Sequence, residues 1–251
     1  MKVAVFSDVH GNAVALEAVL ADIERHGVAQ MVYGGDLAFG GPTPEACVAR
    51  IRALGIPCVR GNTDEWFATG SAAQPDVLRD ALGRWVHDTL SAASREFLRT
   101  LPFEHRVDDL LIVHATPWSV SDLVPRDADQ TVLRRVLTEA RAAAVVYGHI
   151  HIGWIGQVPG MGLVVNTGSV GFPFDGDPHA SYAVLTRGPA GWTAELHRVA
   201  YDLDRAAVFP PDHPGYSVRT DGRRTKHLHD TAGRQDVPEA YGQEFEPVRS
   251  R

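Results

Sequence analysis

Five short apolar runs in this chain each stop on a residue able to bind a cation, and that pattern limits the fold more than any other feature. Residues 2–6 lead into Asp8 and His10, 31–33 into Asp36, 56–59 into Asn62, 110–113 into His114, and 144–147 into His149 and His151. The runs are of strand length, and helical periodicity separates the first three. Leu16, Val19, Leu20 and Ile23 recur at helical spacing between a capping Asn12 and a terminating Gly27. Thr43-Pro44-Glu45 opens a second helix that carries Val48 and Ile51 up to Gly55. Strand, polar turn and helix repeated in this way predict an α/β sheet, whose ligands gather beyond the carboxyl ends of the strands.

Residues 66–101 carry two apolar stripes, Val77, Leu78, Leu82, Trp85 and Val86 in one and Phe97, Leu98 and Leu101 in the other. They predict a helical insertion over the edge of the site. Residues 104–107 and 110–113 predict a hairpin turned by Asp108-Asp109, and 130–140 a helix. Residues 154–158, 163–166, 181–187 and 192–199 alternate like antiparallel strands, so the second half is expected to be mainly sheet. Past Tyr201 the chain is rich in Pro, charge and His without period, and a tail with little structure of its own is expected there. The expected organisation is one domain over 1–199, with the insertion inside it, and a C-terminal extension over 200–251.

A chain of 251 residues that is 44% hydrophobic can bury one sizeable α/β core. Its net charge of −7 offers no general positive field to a nucleic-acid backbone, so long nucleic acid is not an expected partner. No apolar run approaches the ~20 residues needed to cross a bilayer. A strand pattern begins at the second residue where a secretory signal would stand, which makes the cytoplasm the expected compartment. Cys47 and Cys58 fall in a helical and a strand pattern and are expected to be reduced, buried small hydrophobes.

Side chains two apart in an extended segment share a side, so Asp8-Val9-His10 and His149-Ile150-His151 are each expected to offer two donors to one ion. Singly, the other residues have plainer roles: Asp36 as a cap, Asn62 as a turn residue after Gly61, His114 as a structural histidine. Gly34-Gly35 before Asp36 would let the backbone approach a bound group closely. Together the seven carry the argument, because independent coincidences multiply. Seven donors exceed what one ion takes, and an oxygen and imidazole shell without thiolate suits Mn²⁺, Fe, Co²⁺, Ni²⁺ or Zn²⁺. Two ions sharing one carboxylate would lie the ~3.5–4 Å apart typical of two-metal hydrolytic centres.

These motifs, in this order, resemble those of the calcineurin-like metallophosphoesterase superfamily. They stand here as Asp8-Val9-His10, Gly35-Asp36, Gly61-Asn62-Thr63-Asp64, His114 and Gly148-His149-Ile150-His151. Asn166-Thr167-Gly168-Ser169-Val170-Gly171 and Ser181-Tyr182-Ala183 resemble the end of its small prokaryotic phosphodiesterase-like branch, and the likeness spans 1–199. The resemblance implies a four-layer αββα sandwich of two mixed β-sheets flanked by helices. It implies two divalent ions, Mn²⁺ first among them, with Asp8, His10 and His151 on one, Asn62, His114 and His149 on the other, and Asp36 between. Asp36, Asn62 and His114 would act in catalysis through the metals and the phosphate.

Thr63 departs from the pattern, since many relatives have a histidine there that protonates the leaving oxygen. Thr cannot act as an acid near neutral pH, so diesters and good leaving groups are expected over unactivated monoesters. Ala115 stands where a glycine often follows the lone histidine. The Asp-Arg-Gly run of Ser/Thr protein phosphatases is replaced after Asp36 by Leu37-Ala38-Phe39-Gly40-Gly41, which argues against that activity.

The expected function is hydrolysis of a small phosphodiester by a hydroxide shared between two cations, with Asp64, unless it is a simple turn residue, orienting the Asn62 loop or a ligand histidine. The alternatives are a dinucleoside polyphosphate or protein-phosphate hydrolase on the same scaffold, and a non-catalytic binding module like the retromer subunit of this fold. Every ligand position is filled, which argues against the last. Trp66, Phe67, Phe172 and Phe174 are expected to pack rather than to line a pocket for a flat group. His227-Leu228-His229 is expected to be solvated rather than a separate metal site.

Overall fold

Alternation along the strands sorts their side chains onto two faces, and both faces of the central strands are apolar because each sheet is covered twice. The structure is a computed structural model that describes residues 1–69 and 77–214. The first sheet contains β1 (Lys2–Phe6), β2 (Gln30–Tyr33), β8 (Ala180–Gly188) and β9 (Gly191–Val199), in the order β2-β1-β8-β9. The second contains β3 (Glu104–Val107), β4 (Leu110–Val113), β5 (Ala144–Tyr147), β6 (Trp154–Val158) and β7 (Gly162–Asn166), in the order β3-β4-β5-β7-β6. Both are mixed: β1 runs parallel to β2 and antiparallel to β8, while β4, β5 and β7 are parallel with antiparallel β3 and β6 at the edges.

Val3 and Val5 of β1 point into the space between the sheets, where they meet Leu110, Ile112, Val146 and Val165. Their neighbours Ala4 and Phe6 point the other way, onto Leu16, Val19 and Leu20 of α1 (Ala13–Ile23) and Ile51 of α2 (Pro44–Leu54). On the second sheet, Leu111, Val113, Val145 and Tyr147 pack outward on Val132, Leu133, Val136 and Leu137 of α6 (Gln130–Ala140). The result is helices, sheet, sheet, helix. The four-layer αββα sandwich implied by the motifs is the fold observed.

Sequence signals at the helix ends hold. Asn12 Oδ1 accepts the Ala15 N–H at 3.0 Å, and α2 ends at Gly55 with φ 62°. Asp129 Oδ1 accepts the Thr131 and Val132 N–H groups at the start of α6. The Asp108-Asp109 hairpin also forms, pairing Val107 with Leu110.

Three expectations are corrected. Residues 56–59 make a single parallel bridge, Cys58 to Tyr33, instead of a strand. Pro57 O accepts the Tyr33 N–H and Val59 donates to Tyr33 O, but Pro57 has no N–H to extend the ladder. The helical stretch opens earlier than position 66: α3 (Asn62–Thr69) starts on a predicted ligand, followed by α4 (Val77–Thr89) and α5 (Ala92–Arg99). Leu82, Trp85, Val86, Phe97, Leu98 and Leu101 all join the outer core of the first sheet, while the Val77 and Leu78 side chains lie outside the described residues.

The third correction concerns the stretch past Tyr201, where α7 (Leu203–Ala206) forms under an Asp202 cap. Phe209 and His213 are buried; the His213 ring lies 4.6 Å from that of Trp85, whose Nε1 donates to Asp212. Aromatic burial fastens this segment to α4. The expectation for His227, Leu228 and His229 lies outside the described residues.

Candidate metal centre

Six of the seven predicted ligands follow strand ends and Asn62 opens α3 beyond the Cys58 bridge, and the structure brings all seven to one edge of the sandwich. Asp8, His10, Asp36, Asn62, His114 and His151 are buried, and His149 is half-buried. Asp8 Oδ1 lies 3.2 Å from His151 Nε2 and 3.8 Å from His10 Nε2. Asp36 spans the cluster, with Oδ2 at 3.7 Å from His10 Nε2 and Oδ1 at 3.5 Å from His114 Nε2. Asn62 Oδ1 is 3.1 Å from His114 Nε2, and the His149 ring lies against that of His114 with centroids 5.1 Å apart.

The backbone geometry differs from the extended segment expected. Asp8, His10, Asp36, His149 and His151 all have positive φ, from 49° to 66°. Only Asp108 and Arg141 share this among the other non-glycine residues described. L-residues rarely adopt this left-handed conformation, which costs of order 1–3 kcal/mol each and persists only where the surroundings impose it. Paired donors share a side here because tight left-handed turns follow the strands. The strands themselves end at Phe6 and Tyr147.

Four backbone carbonyls set the histidine tautomers. His10 Nδ1 donates to Phe39 O at 2.9 Å, His114 Nδ1 to Gly34 O at 2.9 Å, His151 Nδ1 to Phe172 O at 2.6 Å, and His149 Nε2 to Ser121 O at 3.0 Å. A carbonyl only accepts, so the nitrogen facing it carries the proton and the opposite nitrogen keeps its lone pair. This is the support a metal-binding imidazole needs. His10 Nε2 and His151 Nε2 stand 3.0 Å apart, each with its other nitrogen already donating. Two lone pairs that close repel unless positive charge lies against both, so the donor set fits cations.

Electrostatics point the same way. Burial pushes His10 and His114 down, yet Asp8 and Asp36 outweigh it and hold both imidazoles above their ordinary value. Burial raises Asp8, but His151, His10 and His114 hold it well below the usual carboxylate range. His149 is pushed down to about 4, by burial and then by the His114 ring. Asp64 moves up through burial and the nearby charge of Asp36. The cluster draws positive charge, and the fixed lone pairs direct it.

Several residues that build this site were not assigned a role from sequence. Ser7 Oγ donates to Asp8 Oδ2 and lies 2.7 Å from Thr167 Oγ1. Ser169 Oγ donates to Asp8 O at 2.8 Å, and Val170 and Gly171 N–H groups donate to Ser7 O and Asp8 O. Asn166 Nδ2 donates to Gly148 O. The loop after β7 thus ties the ends of β1 and β5 together, and its polar start after an apolar strand was the signal available. Gly35 opens room for Gly61 and the His114 ring rather than for a bound group. Phe172 and Phe174 pack on the His151 ring, and Trp66 and Phe67 on Phe39.

Two mixed sheets with oxygen and imidazole donors converging at one edge define an α/β scaffold able to hold metal ions. The chain belongs to the calcineurin-like phosphoesterase superfamily, whose domain model matches residues 1–188. An uncharacterized protein of Methanocaldococcus jannaschii is 28% identical over 228 residues, 81% of this chain and 89% of that protein. The crystal structure of a metallophosphoesterase from Sphaerobacter thermophilus matches with a TM-score of 0.70 at 25% identity, covering 93% of this chain and 99% of that one. A hypothetical protein from Pyrococcus horikoshii has the same fold, with a TM-score of 0.71 at 19% identity over 92% and 96% of the two chains. No helix of the described residues is long and apolar enough to cross a membrane.

Proposed function

We propose that this chain is a dinuclear-metal phosphodiesterase acting on a small phosphate diester, with Mn²⁺ as the first ion to test. The observation that carries the reading is the Asp36 carboxylate, whose two oxygens face His10 on one side and His114 on the other. One ion would be held by Asp8, His10, His151 and Asp36, the other by Asp36, Asn62, His114 and His149. Two divalent ions bound there supply water activated near neutral pH and Lewis-acid polarisation of the phosphoryl group.

The chain's own residues do the positioning. Carbonyls of Gly34, Phe39, Ser121 and Phe172 orient the imidazoles, so little reorganisation accompanies reaction. Asn62 and His114 would act on the phosphoryl oxygens through the metals they hold. Thr63 donates its N–H to Asp36 Oδ1 at 3.0 Å, and its buried hydroxyl has no partner among the described residues. No acid stands at that position to protonate a poor leaving group, which favours diesters whose leaving oxygen departs readily.

The test is hydrolysis of bis(4-nitrophenyl) phosphate by the Mn²⁺-loaded chain, with elemental analysis alongside. About two equivalents of metal are expected, and Asp36→Ala and His149→Ala should each abolish turnover. Wild-type-like turnover by either purified variant would overturn the assignment.

A further inference from the structure

We propose that Asp22, His26 and His197 form a separate site for one divalent transition ion of the zinc, nickel or copper kind, which fastens the end of α1 to edge strand β9. Their donor atoms lie within 4.8 Å of one another. Asp22 belongs to α1 and His26 to the 3-10 turn that follows, one helical turn later, so both project from the same side. His26 Nε2 lies 3.5 Å from Asp22 Oδ2. His197 reaches the pair from β9, its ring 4.4 Å from that of His26.

The second observation is His197 Nε2, which is shielded from solvent yet has no hydrogen-bond partner among the described residues. Buried imidazole nitrogens ordinarily find one. Glu195 Oε2, from the same face of β9, is 3.9 Å away, beyond hydrogen-bond range and outside the three-residue cluster, and its largely exposed side chain would have to swing inward to serve as a fourth ligand. Tyr182, directly opposite His197 on β8, stacks on its ring at 4.9 Å and donates its hydroxyl to Asp22 Oδ2 at 2.8 Å. That hydrogen bond orients the carboxylate, as outer partners of metal ligands do.

Two imidazoles with one or two carboxylates match the nitrogen and oxygen set that zinc takes in four-coordinate sites, with bonds of about 2.0–2.2 Å. Closing the cluster onto such an ion requires short rotamer shifts by Asp22 and His26, both partly exposed. The Arg25 guanidinium, which binds Asp22 Oδ1, must release it; that side chain is 72% exposed, and such surface pairs are weak. The site shares no residue with the metal centre. It lies at the far end of α1, a helix of 11 residues and about 16 Å, so its filling does not depend on the phosphodiesterase reading.

The intact chain should be dialysed against Zn²⁺ and its metal content compared with that of the double variant His26→Ala/His197→Ala. The variant should bind one equivalent less, keep its diester turnover, and show a smaller rise in Tm on zinc addition. Anomalous scattering at the zinc edge should place a peak between the three side chains. Equal metal content in the two proteins, no peak there, or filling only at Zn²⁺ far above what loads the other sites would each overturn the proposal. If the double variant does not fold, His26→Ala alone removes one ligand from a partly exposed turn and gives the same comparison.

Discussion

Asp64 Oδ2 accepts the backbone N–H of Asp36 at 2.8 Å, so one buried carboxylate fixes the loop that presents another. The same oxygen takes the Gly61 N–H at 2.9 Å, and Oδ1 takes the Leu37 N–H at 3.0 Å. Two ligand loops, those of Asp36 and Asn62, are joined through it. Asp64→Asn turns an amide NH₂ toward at least one of these donors. Metal affinity and diester turnover should fall by ~10–100-fold with the circular dichroism spectrum unchanged; wild-type values would show that Asp64 does not hold the loops.

Gly148 sits where any side chain would meet the site. A Cβ built there overlaps Asp8 Oδ2 and Ser7 Oγ. Gly148→Ala should therefore push Asp8 from position and cost about 1–3 kcal/mol of stability. Metal content and the urea midpoint measure both effects, and a variant with full metal content and wild-type stability would contradict the close approach.

Burial pushes the thiols of Cys47 and Cys58 up to about 12, with the charge of Asp64 adding to the effect at Cys58. The thiolate is the nucleophile, so neither should react with iodoacetamide at pH 8 while the chain is folded. Mass spectrometry should count no adducts in the native protein and one on each cysteine in urea. Rapid labelling of the native chain would show that these positions open to solvent.

Glu45 links α2 to α5 by accepting the Ser91 N–H at 2.8 Å and the Ser94 hydroxyl at 2.9 Å. Burial raises its carboxyl, but these donors outweigh burial and hold it below the ordinary 4.5. A depressed folded value means the contribution is full above the unfolded value and is lost as pH falls through the folded one. Wild-type stability should therefore drop below pH 4.5 by an increment that Glu45→Gln lacks. Urea midpoints at neutral pH and at acid pH test this, and identical slopes for the two proteins would remove Glu45 from the account.

Periodicity made nearly every element legible in the sequence, because alternation and helical spacing record which faces are buried. The exceptions have local causes. Pro57 withholds the N–H that residues 56–59 needed to become a strand, and the anchor of the 201–214 segment, Trp85, lies far away in sequence. The seven candidate ligands were legible as residue types at the ends of apolar runs.

How those ligands are aimed was not legible. The carbonyls that select the tautomers belong to Gly34, Phe39, Ser121 and Phe172. Every residue carries a carbonyl, so no residue type announces that one of them will face a histidine. The left-handed turns at Asp8, His10, Asp36, His149 and His151 were likewise not legible, because Asp and His adopt this conformation more readily than most residues but only in particular turns. Sequence determined the donors and the layers, since both follow from side-chain chemistry and its spacing. Tertiary structure alone decided which lone pairs point inward, and that His197 meets Asp22 and His26, because those facts depend on backbone atoms and on chain segments distant in sequence.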